Sequence, residues 1–281
     1  MFKIRYMNIV YHSDALPVLK NIDNESVTLC VIDPPFATGH TQQLQSVKSI
    51  RSSEGNKGFG GNTYTNKIVS KASYEDKFDD YVKDFLEPHL IEVKRILTNN
   101  GTLCLHLDWR AEHEARVYLD TLFGKDCFVN SLIWSFNFGG RGKRCFPRKH
   151  NTILVYSKIP DGHIFNYADV DRIPYKAPSL QKSKERAAAG QIPTDVWELG
   201  IVGTNAHERV NYVSQKPEKL VKRLITAFSN KGDTVLDFCA GSGTTGASVV
   251  ALDRKFILVD RNIEAIETMK KRFSAFDVTY A

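Results

Sequence analysis

Four consecutive residues carry the first chemical signal in this 281-residue chain: Asp33, Pro34, Pro35 and Phe36. They follow the apolar run VTLCVI at 27–32, which reads as a strand buried on both faces. Neither proline has an N–H to pair, so the strand stops there. A residue before proline is held extended, which fixes Asp33 at the strand exit. Open α/β sheets bind their ligands just beyond such exits. Asp33 can accept a hydrogen bond from an amino group, the Pro34 carbonyl can accept a second, and Phe36 offers a flat stacking face. The set suits an exocyclic amine on a planar ring, as on a nucleobase taken out of its stack. A plain Asp-Pro-Pro turn ending a core strand accounts for the same four residues, so the motif needs support from elsewhere.

A second candidate site lies two hundred residues on. DTVLDF, CAGSGTTG, ASVVAL and KFILVD form one strand–turn–helix–strand unit over 233–260. Gly241 and Gly243 allow close backbone approach to a ligand and leave N–H groups at a helix start. Asp260 ends the following strand, where an acidic side chain can take ribose hydroxyls. That points to a cofactor bearing a nucleoside. No Lys-Ser/Thr pair follows Gly243, which argues against a phosphate-binding Walker loop. Gly241, Gly243 and Gly246 formally match GxGxxG, so spacing alone leaves a nicotinamide dinucleotide open.

A third stretch, FGGRGKRCFPRKH at 138–150, joins two apolar strands. Arg141, Lys143, Arg144, Arg148 and Lys149 make it a basic arm suited to phosphates, and a solvated basic loop is the ordinary alternative.

The elements that must position these residues alternate. Strands are expected over 4–10, 27–32, 102–107, 131–136, 152–157, 233–238 and 255–260. Amphipathic helices follow Ser13-Asp14, Asp79-Asp80, Asp108, Pro217, the glycine turn and Arg261, the signature of a mostly parallel sheet with crossover helices. Residues 37–75 are rich in Gly, Ser, Asn, Thr and Lys and read as a long segment that closes over substrate. Residues 158–211 are interrupted by four prolines and read as an excursion from the main fold.

The formal charge of +6 and a pI near 8.9 fit a polyanionic partner without demanding one. No apolar run reaches membrane-spanning length, and no signal peptide is evident at the N-terminus. The five cysteines lack CxxC spacing, which suits free thiols in a reducing cytosol. No metal-ligand spacing is present, and no metal is expected.

Taken together and in this order, the motifs resemble those of the β class of S-adenosylmethionine-dependent amino DNA methyltransferases. The resemblance rests on DPPF at 33–36, SQKP at 214–217, DFCAGSG at 237–243, and family-like segments LHLDWRAEHEARVYLDTLFG and HNTILVYSK. It spans about residue 8 to 270 and thins in 37–75 and 158–205. It implies an open, mostly parallel seven-stranded Rossmann-like sheet with a circularly permuted motif order. It divides the chain into a catalytic half (1–157), a target-recognition excursion (158–211) and a cofactor half (212–281). It assigns the target amine to Asp33 and Pro34, with Pro35 stiffening the turn, and the flipped base to Phe36. It assigns the cofactor to Asp237, Phe238, Ala240, Gly241, Ser242, Gly243 and Thr244, its ribose to Asp260, its pocket closure to Lys216 and Pro217, and its adenine to Asp14.

The implied reaction transfers a methyl group to N6 of a flipped adenine in double-stranded DNA. N4 of cytosine is the nearest alternative, and RNA or protein N-methylation a more distant one. A cytosine-C5 mechanism would need a Pro-Cys nucleophile, which is missing. A homodimer, a cognate restriction endonuclease and a cytoplasmic, prokaryotic or phage setting are further implications of the resemblance.

Overall fold

The computed structural model describes residues 8–35, 42–57, 61–74, 78–139, 142–212 and 214–281. In chain order its elements are β1 (Asn8–His12), α1 (Ala15–Lys20), β2 (Val27–Ile32), β3 (Gln42–Lys57), β4 (Thr63–Tyr74), α2 (Glu87–Ile96), β5 (Leu97–Leu107), α3 (Glu112–Leu122), β6 (Phe128–Ser135) and β7 (His150–Ser157). Then come α4 (Lys184–Ala189), β8 (Val196–Glu198), α5 (Glu218–Phe228), β9 (Thr234–Asp237), α6 (Thr244–Ala251), β10 (Lys255–Asp260), α7 (Ile263–Arg272) and β11 (Val278–Tyr280).

The main sheet has the order β11-β1-β10-β9-β2-β5-β7-β6-β8. All seven expected strands have a counterpart in it, the first running Asn8–His12 where 4–10 was expected, with residues 4–7 outside the described residues. Two three-residue edge strands, β8 and β11, extend it to nine, and both are too short for periodicity to announce them. β7 runs antiparallel to both its neighbours, and the remaining pairs are parallel.

β2 is buried at all six positions because helices cover both faces. Cys30 and Ile32 face a core made with Leu19 of α1, Leu90 and Val93 of α2 and Leu119 of α3. Leu29 and Val31 face the other, built on Leu224 and Phe228 of α5 and Met269 of α7. From β9 the chain crosses through α6 to β10, and from β2 it crosses through α2 to β5 on the opposite side. The order therefore reverses between β9 and β2, and such a switch point opens a crevice at the carboxyl ends of the strands.

The sequence suggested a structureless covering segment over 37–75. The described part is instead an antiparallel ribbon, β3 with β4, apart from the main sheet. Its strands are rich in Gln, Ser, Asn, Thr and Lys and lack a regular apolar alternation, so no period of two could be read. The helix that follows Asp79-Asp80 stops at Ile96, and β5 starts at Leu97, ahead of the strand expected over 102–107. One π-type turn, Val82–Leu86, precedes α2. Pro88 has no N–H to offer the Asp84 carbonyl one turn back, which fits a local departure from α geometry there. Among the described residues no helix is long and apolar enough to cross a membrane.

Candidate active site

Four adjacent parallel strands each lead into an aspartate at the same rim. His12 of β1 lies beside Asp260 of β10, so Asp14 leaves two residues beyond. Leu258 of β10 lies beside Asp237, the last residue of β9. Cys30 of β2 lies beside Leu236, so Asp33 exits next to Asp237. Asp14, Asp260, Asp237 and Asp33 all line one cavity of about 420 Å³.

Each carboxylate is held differently. Asp14 stands at the N-cap position of α1 in extended geometry, yet its side chain makes no capping hydrogen bond and stays exposed at the cavity. Asp260 accepts the Gly241 N–H through Oδ2 and the Asn262 N–H through Oδ1, both at 2.8 Å. Burial raises its pKa, which those two donors oppose. Asp237 accepts from the Cys239 N–H at 3.0 Å and the Thr245 hydroxyl at 2.6 Å. Burial nevertheless pushes its pKa up to about 7, with Asp33 and Asp260 adding repulsion. Asp33 goes the other way. Burial would raise it, but the Lys216 ammonium on Oδ2 and His106 beside it bring it down to about 2.

The turn between β9 and α6 is shaped by packing. Gly243 has φ +72°, and a Cβ there would lie 2.7 Å from Cγ of Met269, so only glycine fits. Gly241 has φ +47° and lies under the Tyr212 ring. Phe238, Ala240, Gly241, Ser242 and Thr244 line the cavity, while Gly243 faces the α7 core instead. In the QKP segment each residue has a separate task. Gln215 clamps the preceding loop, accepting the Val210 N–H at 3.0 Å and donating to the Glu208 carbonyl at 2.6 Å. Lys216 reaches across to Asp33. Pro217 is buried at the N-cap of α5 and does not line the cavity.

Pro34 and Pro35 line the cavity beside Asp33. Phe36 and Arg141 lie outside the described residues. Lys143, Arg144 and Arg148 are exposed on the connector between β6 and β7, at the same rim as Asp33. Arg148 stacks over Trp109 at 3.8 Å, and Lys149 Nζ donates to the carbonyls of Phe138 and Gly139, both at 2.7 Å. Those two cations therefore also shape the arm.

Sequence reading missed two groups. The first is a pair behind Asp33, a buried histidine and a half-buried asparagine. Nδ1 of His106, on β5, lies 3.0 Å from Oδ1 of Asp33, and Nε2 lies 3.0 Å from Nδ2 of Asn151 on β7. The Asn151 amide donates to Nε2, which leaves the proton on Nδ1 facing the carboxylate. Burial lowers the His106 pKa, and this favours the neutral ring. The second is an aromatic wall, of which the sequence had singled out only Phe238 as a site residue. His89 stacks on Phe238 with centroids 5.3 Å apart and a 9° tilt, and Phe85 and Phe78 continue the row. Phe78, Phe85, His89 and Phe238 all line the cavity. Helical spacing showed Phe85 only as an apolar position facing inward. A histidine inside the apolar run TLCLHL was the one sequence signal for His106.

The acidic rim can hold a nucleoside cofactor that carries positive charge, and the aromatic wall can cover its flat parts. Asp33 at the switch point can hold an amine facing it. Sheet and site together define a Rossmann-like methyltransferase. Compared with known proteins, residues 27–271 match the family model described as DNA methylase. The Type II methyltransferase M.HpaI of Haemophilus parainfluenzae is 30% identical over 270 residues, covering 94% of this chain and 75% of that protein. DNA adenine methyltransferase YhdJ of Escherichia coli (strain K12) is 30% identical over 272 residues, covering 94% and 81%.

Among solved structures, the cytosine-N4-specific PvuII DNA methyltransferase superposes with a TM-score of 0.63 at 17% identity, over 95% of this chain and 86% of that one. The M1.HpyAVI–SAM complex superposes with a TM-score of 0.59 at 20% identity, over 94% and 98%. Both show the same fold. The chain belongs to the DNA methylase family. As a DNA methyltransferase it takes its methyl group from S-adenosylmethionine and acts on DNA.

Proposed function

We propose that this protein transfers the methyl group of S-adenosylmethionine to N6 of an adenine turned out of double-stranded DNA. The observation that carries the reading is the shared rim: the acid of the DPPF motif and the glycine turn open into one cavity at the switch point.

When bound, the cofactor supplies an electrophilic methyl on a sulfonium. Asp237, Asp260 and Asp14 are the residues to hold it. Asp237 gains most from a nearby cation, because its ionised form is otherwise destabilised by burial. Asp33 and the Pro34 carbonyl accept from the target amine and draw its lone pair out of conjugation with the ring. Since burial is overcome by Lys216 and His106, Asp33 stays ionised and acceptor-only at neutral pH. Positioning the amine then supplies most of the acceleration, with no covalent enzyme intermediate.

Adenine is favoured over cytosine by the aspartate at the first motif position, where family members acting on cytosine more often carry serine. The name of YhdJ is in keeping with that choice. The basic arm and the 158–211 excursion are the parts we assign to DNA contact and target choice. The excursion is tied to the sheet by Arg223, which is buried, bonds both oxygens of Asp171 at 2.7 Å and lies over Trp197. The type II relatives support pairing with a cognate endonuclease in a cytoplasmic restriction–modification system, and a homodimer is the assembly we expect. The deciding experiment incubates the purified protein with S-adenosylmethionine and genomic DNA, digests the DNA to nucleosides and identifies the product by mass. N6-methyladenine is expected, N4-methylcytosine would move the reading to cytosine, and no modified base would end it.

A further inference from the structure

We infer that Phe146 is a wedge that enters the duplex and fills the space left by the departing base. The inference rests on the DNA reading above. Phe146 is 93% exposed, the most exposed of the large apolar side chains among the described residues. It is not an isolated surface phenylalanine. Lys143 and Arg144 precede it and Arg148 follows, all exposed, so its neighbours suit a phosphate backbone. Pro147 comes directly after it and restricts Phe146 to extended backbone.

The arm is braced where it meets the body. Lys149 ties its end to its beginning through the carbonyls of Phe138 and Gly139, and Arg148 stacks on Trp109, just past the exit of β5. Two residues beyond Lys149, Asn151 bonds His106, which faces Asp33. Phe146 lies only five positions before Asn151, and extended chain of that length spans at most about 17 Å. The ring thus stands at the rim where the target amine must arrive.

Turning a base out leaves an unpaired partner and a gap in the stack, and closing of that gap drives the base back. A flat apolar side chain inserted between base steps prevents the collapse, and phenylalanine is one of the residues used in this way elsewhere. Phe36 is assigned to the flipped base itself, so the gap needs a second side chain. Phe138, although 68% exposed, sits at the braced foot of the arm.

The test compares wild type, Phe146→Ala and Phe146→Leu on two duplexes carrying the recognised site, located first by mapping modified positions in methylated genomic DNA. One duplex is fully paired, and the other has a mismatch opposite the target base. Base flipping is followed by 2-aminopurine fluorescence at the target position, and turnover by methyl transfer to the natural base. Phe146→Ala should lose the fluorescence rise and about 10-fold in kcat/KM on the paired duplex, the worth of one aromatic stacking contact. The mismatch should restore it to within about 2-fold, since less unpairing is required. Phe146→Leu should stay near wild type, and cofactor affinity should not move. Equal loss on both duplexes, or no loss on either, overturns the wedge. A wild-type protein that methylates neither duplex overturns the underlying DNA reading instead.

Discussion

The two sides of the rim are built on different terms. On the side of β1, β10, β9 and β2, the buried Asp237 and half-buried Asp260 accept backbone N–H groups, and the glycine turn is packed against Met269 and Tyr212. On the side of β5, β7 and β6, past the His106–Asn151 pair, the rim passes into an exposed basic arm and a loop-rich excursion. The first side is the one we propose for the cofactor, one invariant small molecule, so its geometry can be set in advance. The second is the one we propose for DNA, a long polyanion, where exposed charge gives affinity and order can come on binding. The contrast predicts that damage on the first side removes chemistry or cofactor affinity, while damage on the second changes DNA affinity and salt dependence.

The largest effect should come from Asp33, which belongs to both sides. Asp33→Ala should lower kcat by about 10³-fold or more, the scale of losing a group that acts in the transition state. Cofactor affinity measured by calorimetry should stay within a few fold. Turnover near wild type would break the assignment of the target amine to Asp33.

His106 separates positioning from mere packing. His106→Leu should reduce kcat by roughly 10²-fold with little change in the KM for cofactor, because the carboxylate loses its oriented donor. His106→Asn, which keeps an N–H donor, should recover part of the loss. Equal loss in the two variants would leave only a packing role.

The Arg223–Asp171 pair, a buried guanidinium on an exposed carboxylate, tests how firmly the excursion is joined to the sheet. Asp171→Ala removes the bidentate partner of a buried guanidinium and, with solvent screening on the exposed side, should cost about 1–2 kcal/mol in chemical denaturation. A cost below about 0.5 kcal/mol would mean that the excursion folds independently of α5.

A pH series sharpens the cofactor side. With its pKa at about 7, Asp237 is largely neutral at pH 6 and charged at pH 8. Affinity for cationic S-adenosylmethionine should therefore rise as pH increases through about 7, and Asp237→Asn should flatten that rise. Stability without cofactor runs the other way. The folded state holds the Asp237 proton more tightly than the unfolded chain, whose value is 3.8, so its contribution falls as pH rises from about 4 to 7. Asp33 has the opposite sign: its contribution is present above 3.8 and is lost as pH falls through about 2.

The smallest effect should come from single charges on the arm. Lys143→Ala with Arg144→Ala should weaken DNA binding uniformly across sequences and make the slope of log affinity against log salt shallower by about 2. An unchanged slope would remove these two side chains from the phosphate contacts.

Some of this organisation was legible along the chain. β2 and its stop were readable because an apolar β-branched run and two prolines act on their own neighbours, with no need of tertiary context. The same holds for the β9 turn, where glycines, a helix start and a strand ending in Asp260 follow in fixed succession. The β3–β4 ribbon was not legible, because apolar residues do not alternate along its sequence. β8 and β11 are too short to show one. The aromatic wall looked like ordinary helical core, since spacing reveals that a side chain faces inward but not what it meets.

The order of residues therefore reveals where strands end and which reactive groups stand at those ends, since backbone stereochemistry acts over a few residues. Folding is what makes four such ends share a rim, brings Lys216 to Asp33 across 183 positions, and lets Asn151 orient a ring behind it. Those meetings follow from which strands lie side by side, and strand order is set by the burial of whole faces rather than by any local signal.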